Sequence, residues 1–266
     1  MGLHVKRRIV FVPMSTAAVI IIGNEILSGR TQDKNLSWLA TQLNELGIQL
    51  REARTVRDEE AAIAEAVNAC RTHYSYVFTT GGIGPTHDDI TSRCIAAAFG
   101  VPLIRHPEAV KAMESYYGEG DLTEARLKMA EVPEGATLVH NPVSSAPGYH
   151  MENVYVLAGI PAIMQAMFDG VRPQLKGSVK MLSRALRLWV SEGAVAEALS
   201  QVQDAHPQVE IGSYPLVREN RLGTTLVARA TDTHALDTAF TALQTMADAS
   251  GGEWEEEASE IVDWSP

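Results

Sequence analysis

From residue 17 to residue 99 the chain alternates short continuous apolar runs with longer stretches whose apolar residues recur every three or four positions. The runs at 17–22, 48–56 and 76–80 read as strands, and the stretches at 35–46, 59–72 and 90–99 read as helices. Leu36, Leu39, Leu43 and Leu46 form one apolar stripe, with Gly47 placed to end the helix. Trp38 lies one position off that stripe and reads as a packing or interface residue. Further helical patterns fall at 107–117 and 123–130, strands at 137–140 and 154–157, and a helix at 161–175. Such βα alternation predicts an α/β protein with a three-layer, mostly parallel sheet covered on both faces.

A second pattern starts beyond Lys176-Gly177-Ser178, which reads as a hinge. Strands at 186–190, 209–213 and 224–228 and helices at 194–202 and 235–249 give a β-α-β-β-α order, hence a small α+β domain. The order superficially suits an RNA-binding KH module, but no Gly-x-x-Gly lies between its helices. The expected organisation is an N-terminal extension at 1–15, a main domain at 16–176, the small domain at 178–255 and an acidic tail at 256–266. From Glu253 onward the chain carries five glutamates, one aspartate and no basic residue, which predicts a solvated end.

Charge and composition narrow the partners. A hydrophobic content of 45% supports packed cores, and a net charge of −11 argues against nucleic acid. No apolar run reaches the roughly 18 residues a membrane span needs. Lys6, Arg7 and Arg8 precede apolar residues, but Pro13, Ser15 and Thr16 break the run, so a signal peptide is rejected and Met14 is the expected natural start. These points predict a soluble cytoplasmic protein. Cys70 and Cys94 fall in helices without metal-ligand spacing and are expected to be buried, reduced thiols.

The chemistry concentrates in Thr79-Thr80-Gly81-Gly82-Ile83-Gly84-Pro85-Thr86-His87-Asp88-Asp89-Ile90-Thr91. A strand, a loop with three glycines and a helix start is the arrangement that brings backbone N–H groups close to a phosphate. Thr86 and Asp89 have the spacing of a capping box. Adjacent carboxylates beside a phosphate call for a hard divalent cation between them, Mg²⁺ or Co²⁺, with Asp89 the favoured ligand over Asp88. His87 reads as a solvated loop residue. Asp58 follows the second strand and is expected to cap the next helix, to face the ligand crevice and to share the metal with Asp89. Gly23-Asn24-Glu25, Asp58, the Gly81 loop and Gly159 all follow strands, and ligands in parallel sheets bind at that edge. Ser144 to Gly148 is too polar and glycine-rich for core and reads as a further loop there. His140 and Asn141, before Pro142, read as strand termination.

Gly81-Gly82-Ile83-Gly84-Pro85-Thr86-His87-Asp88-Asp89-Ile90-Thr91 resembles the signature of the molybdopterin-binding-like family, which includes the molybdenum-cofactor proteins MogA and MoaB, CinA, and the N-terminal domain of eukaryotic FAD synthase. Gly23-Asn24-Glu25-Ile26-Leu27-Ser28-Gly29, Arg57-Asp58-Glu59, Ser145-Ala146-Pro147-Gly148 and Leu157-Ala158-Gly159-Ile160-Pro161 fit the last two. The resemblance covers about residues 16–176, and Val209 to Pro215 extends it more weakly to about residue 255. It implies a ligand held by Gly23, Asn24, Glu25, Ser28, Gly81, Gly82, Gly84, Pro85, Thr86, Ser145, Pro147, Gly148, Gly159 and Pro161, with Asp89, Asp58 and Asp88 as catalytic carboxylates. The implied activity is metal-dependent hydrolysis of a nucleotide pyrophosphate such as FAD or ADP-ribose. Alternatives are molybdopterin binding or adenylyl transfer, or a non-catalytic ligand-binding oligomer. MogA-type relatives carry arginine where this chain has Asp88, which weighs against adenylyl transfer. The family is commonly oligomeric, so a homodimer or homotrimer is expected.

Overall fold

The computed structural model describes residues 14–118, 120–218 and 220–257. The expectations for the N-terminal extension therefore concern residues outside those described, apart from Met14 and Ser15. The chain divides into two compact units between Ser178 and Val179.

The first unit begins with β1 (Thr16–Ile22), a single turn α1 (Asn24–Leu27), α2 (Asn35–Glu45), β2 (Gln49–Val56), α3 (Glu60–His73), β3 (Tyr76–Thr80) and α4 (Thr91–Phe99). It continues through β4 (Leu103–Arg105), α5 (Pro107–Tyr116), the short α6 (Glu124–Leu127), β5 (Glu131–Pro133), β6 (Thr137–Val139), β7 (Gly148–Met151), β8 (Val154–Leu157) and α7 (Pro161–Val171). The central sheet has the order β2-β1-β3-β8-β7-β6. The pairs joining β2, β1, β3 and β8 are parallel, and β7 and β6 add on antiparallel. This is the mostly parallel, doubly covered sheet that the alternation implied.

The continuous apolar run of β1 has a structural cause: successive side chains enter opposite cores. Ala17, Val19 and Ile21 pack with Leu39 and Leu43 of α2 and with Met164 and Phe168 of α7. Ala18, Ile20 and Ile22 pack with Ile63 and Val67 of α3 and with Ile95 of α4. Trp38 meets Phe168 edge to face at 5.4 Å, so it contributes to this core. Cys70 and Cys94 are both fully buried free thiols. Burial pushes both thiol pKa values up, that of Cys94 to about 11. Neither thiol should react with Ellman's reagent at pH 8 in the native protein, and both should react in denaturant; rapid native labelling of either would contradict this packing.

The segment read as a hinge is held against the first unit. The Ser178 hydroxyl donates to the Gly47 carbonyl at 3.0 Å, and the Ser15 hydroxyl donates to the Lys176 carbonyl at 2.8 Å.

The second unit comprises β9 (Leu182–Leu188), α8 (Glu192–Ala205), β10 (Glu210–Arg218), β11 (Arg221–Ala230), α9 (Thr233–Ser250) and β12 (Trp254–Glu257). Its antiparallel sheet runs β10-β11-β9-β12 and buries Leu186, Leu226, Phe240 and Leu243 in a core of its own. The start of the acidic end corrects the sequence reading, because Trp254–Glu257 is a sheet strand beside β9, while residues 258–266 of the expected tail lie outside those described. Arg184 meets Glu256 at 2.7 Å and Arg187 meets Glu255 at 3.3 Å, with Glu257 also against Arg187. The glutamates read as a solvated tail because their cationic partners lie about 70 residues earlier.

Candidate functional site

The four parallel strands end at Ile22, Val56, Thr80 and Leu157, all at one edge of the sheet. An open cleft of about 640 Å³ lies there. Its floor is the glycine turn after β3. Gly81 has φ +103°, and a Cβ on it would lie 2.2 Å from the Ile22 carbonyl oxygen. Gly82 has φ +68°, and a Cβ there would lie 2.2 Å from the Thr91 hydroxyl. Only glycine fits such close approaches at positive φ. Thr91 fastens the turn: its hydroxyl donates to the Gly81 carbonyl and its N–H to the Gly82 carbonyl, both at 3.0 Å.

That fastening changes the expected phosphate cradle. Helix α4 starts at Thr91 with no side-chain cap, and its first N–H is taken by the loop. One of the two capping-box bonds forms, and it closes a separate turn before the helix: Thr86 N–H donates to Asp89 Oδ2 at 2.8 Å, while Asp89 N–H donates to the Thr86 carbonyl at 3.3 Å rather than to the hydroxyl. The Thr86 hydroxyl donates to the same Asp89 oxygen. Ser92 and Arg93 at the helix start line a separate hollow of about 140 Å³. Asp89 lines both spaces, whereas Asp88 and Thr86 line neither. The His87 side chain is 98% exposed, as a solvated loop residue should be.

Asp58 requires a correction. Its carboxylate accepts the Asn24 N–H at 2.8 Å, thereby capping α1, while α3 begins at Glu60, after Glu59, with no side-chain cap. Asp58, Gly23, Asn24 and Ser28 do not line the cleft; Glu25 does. The Ser28 hydroxyl turns back onto the Glu25 carbonyl at 3.2 Å. Among the described residues no group of three or more His, Cys, Asp or Glu side chains is placed to hold a metal ion.

The remaining candidates divide similarly. Gly84, Pro85, Gly159 and Pro161 line the cleft with Gly81 and Gly82. The β8–α7 loop touches the glycine turn directly, since a Cβ on Gly159 would lie 3.2 Å from the Gly81 Cα. Ser145, Pro147 and Gly148 do not line it. Gly148 begins β7, packed so close to the Val156 carbonyl that a Cβ would lie 2.5 Å from it. The loop instead contributes Ser144 and Ala146.

Several cleft residues gave no sequence signal. Asn141 is 2% exposed and organises its loop completely: its amide donates to Ser144 Oγ and the Ala146 carbonyl, and its Oδ1 accepts from the N–H groups of Val143 and Ser144. The Asn141-Pro142 pair is the signal that could have found this turn. Asn35 is 4% exposed and donates to the Gly159 carbonyl at 2.8 Å, tying α2 to the cleft floor. Asp33 and Lys34 precede it on the rim, and Tyr117, Arg126 and Met129 form a further wall. Ile26, Ile83, Ile160 and Ile163 give the cleft apolar surface large enough for a planar ring system.

A mostly parallel α/β sheet with an open, part-apolar cleft at its carboxyl edge defines a ligand-binding α/β protein. Residues 18–177 match the probable molybdopterin binding domain, so the chain belongs to that family. Residues 180–251 match the FAD synthase middle domain. A Pyrobaculum calidifontis protein is 38% identical, with 76% of this chain and 81% of the relative aligned. A CinA-like protein of Salinibacter ruber is 33% identical over 86% of this chain and 59% of its own length. The crystal structure of CinA from Thermoplasma acidophilum superimposes with a TM-score of 0.58 at 34% identity, over 60% of this chain and 98% of that one. The family is thus the one the Gly81 to Thr91 motif resembled, and its CinA-like branch is represented among these relatives. Among the described residues no helix is long and apolar enough to cross a membrane.

Proposed function

We propose that the cleft binds a nucleotide pyrophosphate such as FAD or ADP-ribose and hydrolyses the bond between its phosphates with a divalent cation present. The observation that carries this reading is the Asp89 carboxylate standing at the glycine turn of a cleft that also presents the apolar side chains of Ile26, Ile83, Ile160 and Ile163. Backbone at Gly81 to Gly84 allows close approach of phosphate oxygens, and the isoleucine walls suit a flat heterocycle. Water adds to one phosphorus, the bridging P–O bond breaks, and two phosphate esters leave.

The donor set fits a hard cation only in part. Asp89 has one oxygen engaged by Thr86, Glu25 and Asp33 are the other carboxylates on the same cleft, and Asp58 is committed to Asn24. A cation such as Mg²⁺ held by one or two carboxylates completes its shell with ligand phosphates and water. Its contribution when bound is to neutralise the phosphate charge.

The test is incubation of the full chain with FAD, ADP-ribose and a molybdopterin-type pterin, with and without Mg²⁺ or Co²⁺, following AMP release. The expected result is metal-stimulated AMP formation from one of the two dinucleotides. Pterin binding without AMP release would transfer the reading to molybdopterin binding, which the family description favours. We further propose a homodimer or homotrimer; a scattering mass near the 28.9 kDa of one chain would remove that part.

A further inference from the structure

The wall formed by Tyr117, Arg126 and Met129 contains a cation whose placement the fold does not otherwise use. Arg126 is half-buried and lines the cleft. Three contacts hold it. Its N–H donates to the capping Thr123 hydroxyl at 3.4 Å, its guanidinium donates to the Asp121 carbonyl, and that guanidinium lies 4.7 Å from the centre of the Tyr117 ring. The ring is itself fixed, edge to face against Tyr116 at 5.1 Å, whose hydroxyl donates to the Val143 carbonyl at 3.2 Å on the neighbouring loop.

None of these contacts supplies negative charge. Several other arginines of the first unit are ion-paired, Arg54 with Glu52, Arg105 with Glu124 and Arg172 with Glu45, whereas no carboxylate pairs with Arg126 among the described residues. Lys34, the other cation on the cleft, is exposed. A guanidinium presents five donors in a planar fork, of which the carbonyl contact uses few, and it matches phosphate oxygens bidentately. Stacking on a ring restricts the fork before any ligand arrives, so less freedom is lost on binding.

We infer that Arg126, stacked on Tyr117, is a phosphate-binding and specificity-determining residue of this cleft, selecting ligands that carry a phosphate over the corresponding uncharged nucleoside. This deepens the nucleotide reading and rests on it. It assigns the anion recognition to a wall outside the glycine-turn motif, with Arg126 supplying the positive charge that the turn's backbone lacks.

Calorimetric titration of the full chain with ADP and, separately, with adenosine tests the assignment. Arg126→Gln keeps a planar amide over the ring and removes the charge. It should weaken ADP binding about 10- to 100-fold, the scale of one charge-assisted hydrogen-bonded contact, and change adenosine binding by less than about 3-fold. Arg126→Met, which keeps an unbranched stem over Tyr117, replaces it if the Gln variant does not fold, with the same expectation. Unchanged ADP affinity, or equal losses for ADP and adenosine, would overturn the assignment while leaving the nucleotide reading in place. A parent protein that binds neither probe removes both.

Discussion

Asp89→Asn should lower pyrophosphate hydrolysis by about 10²–10³ while leaving the fold intact. That factor corresponds to about 3–4 kcal/mol of barrier, the usual scale for removing one electrostatic stabiliser from a reacting centre. Structural cost is small by comparison. An asparagine Oδ1 still accepts the Thr86 N–H that now reaches Asp89 Oδ2 at 2.8 Å, so stability should change by about 1 kcal/mol or less. Because helix α4 begins two residues later, at Thr91, the substitution does not touch its cap. Thermal unfolding and AMP release measured on one preparation separate the two effects. An Asn variant that folds normally and turns over as fast as the parent would exclude Asp89 from the chemistry.

The second large effect is structural. Gly81→Ala should destabilise the first unit by about 3 kcal/mol, a fall in Tm of about 10 °C. Two causes combine: φ of +103° is unfavourable for alanine, and its methyl would sit 2.2 Å from the Ile22 carbonyl oxygen, a backbone atom at the end of β1. Gly29→Ala is the control, since Gly29 also has positive φ, +73°, but nothing within 4 Å of a Cβ. It should cost only about 1 kcal/mol, from conformation alone. Equal melting temperatures for the two variants would show that the loop yields to the methyl group.

The layered sheet was legible because residues buried on two faces leave a mark that local sequence preserves: β1 is apolar at every position from Ala17 to Ile22, and α2 repeats its leucines every three or four. Strands of three or four residues were not legible. Leu103–Arg105, Glu131–Pro133 and Gly148–Met151 mix polar and apolar positions, and pairing between distant segments makes them strands. At the site, the glycine turn, Glu25, Asp89, Gly159 and Pro161 were readable because they directly follow strands or the motif turn. Asp58 was misread since a capping aspartate looks local, yet its partner Asn24 is 34 residues away. Asn35 and Asn141 look like surface amides in sequence, and only their packing against backbone carbonyls shows that they are interior fasteners. The Tyr117–Arg126 wall arises from tertiary placement of the end of α5 and of α6, which periodicity marks as helices without placing them at the cleft.

The acidic strand at the rim of the second sheet has a consequence for self-association. An open sheet edge presents unpaired N–H and C=O groups that can template addition of another strand, and without β12 that edge would be β9, which carries the core residues Leu186 and Leu188. With Trp254–Glu257 in place, the outermost strand carries three consecutive glutamates. Two copies approaching through this edge would bring like charges opposite one another. At the other rim, Pro215 within β10 has no N–H to offer. Both rims are thus blunted against strand addition, by charge on one side and by a missing donor on the other, and a chain ending before Trp254 would lose the first of these protections.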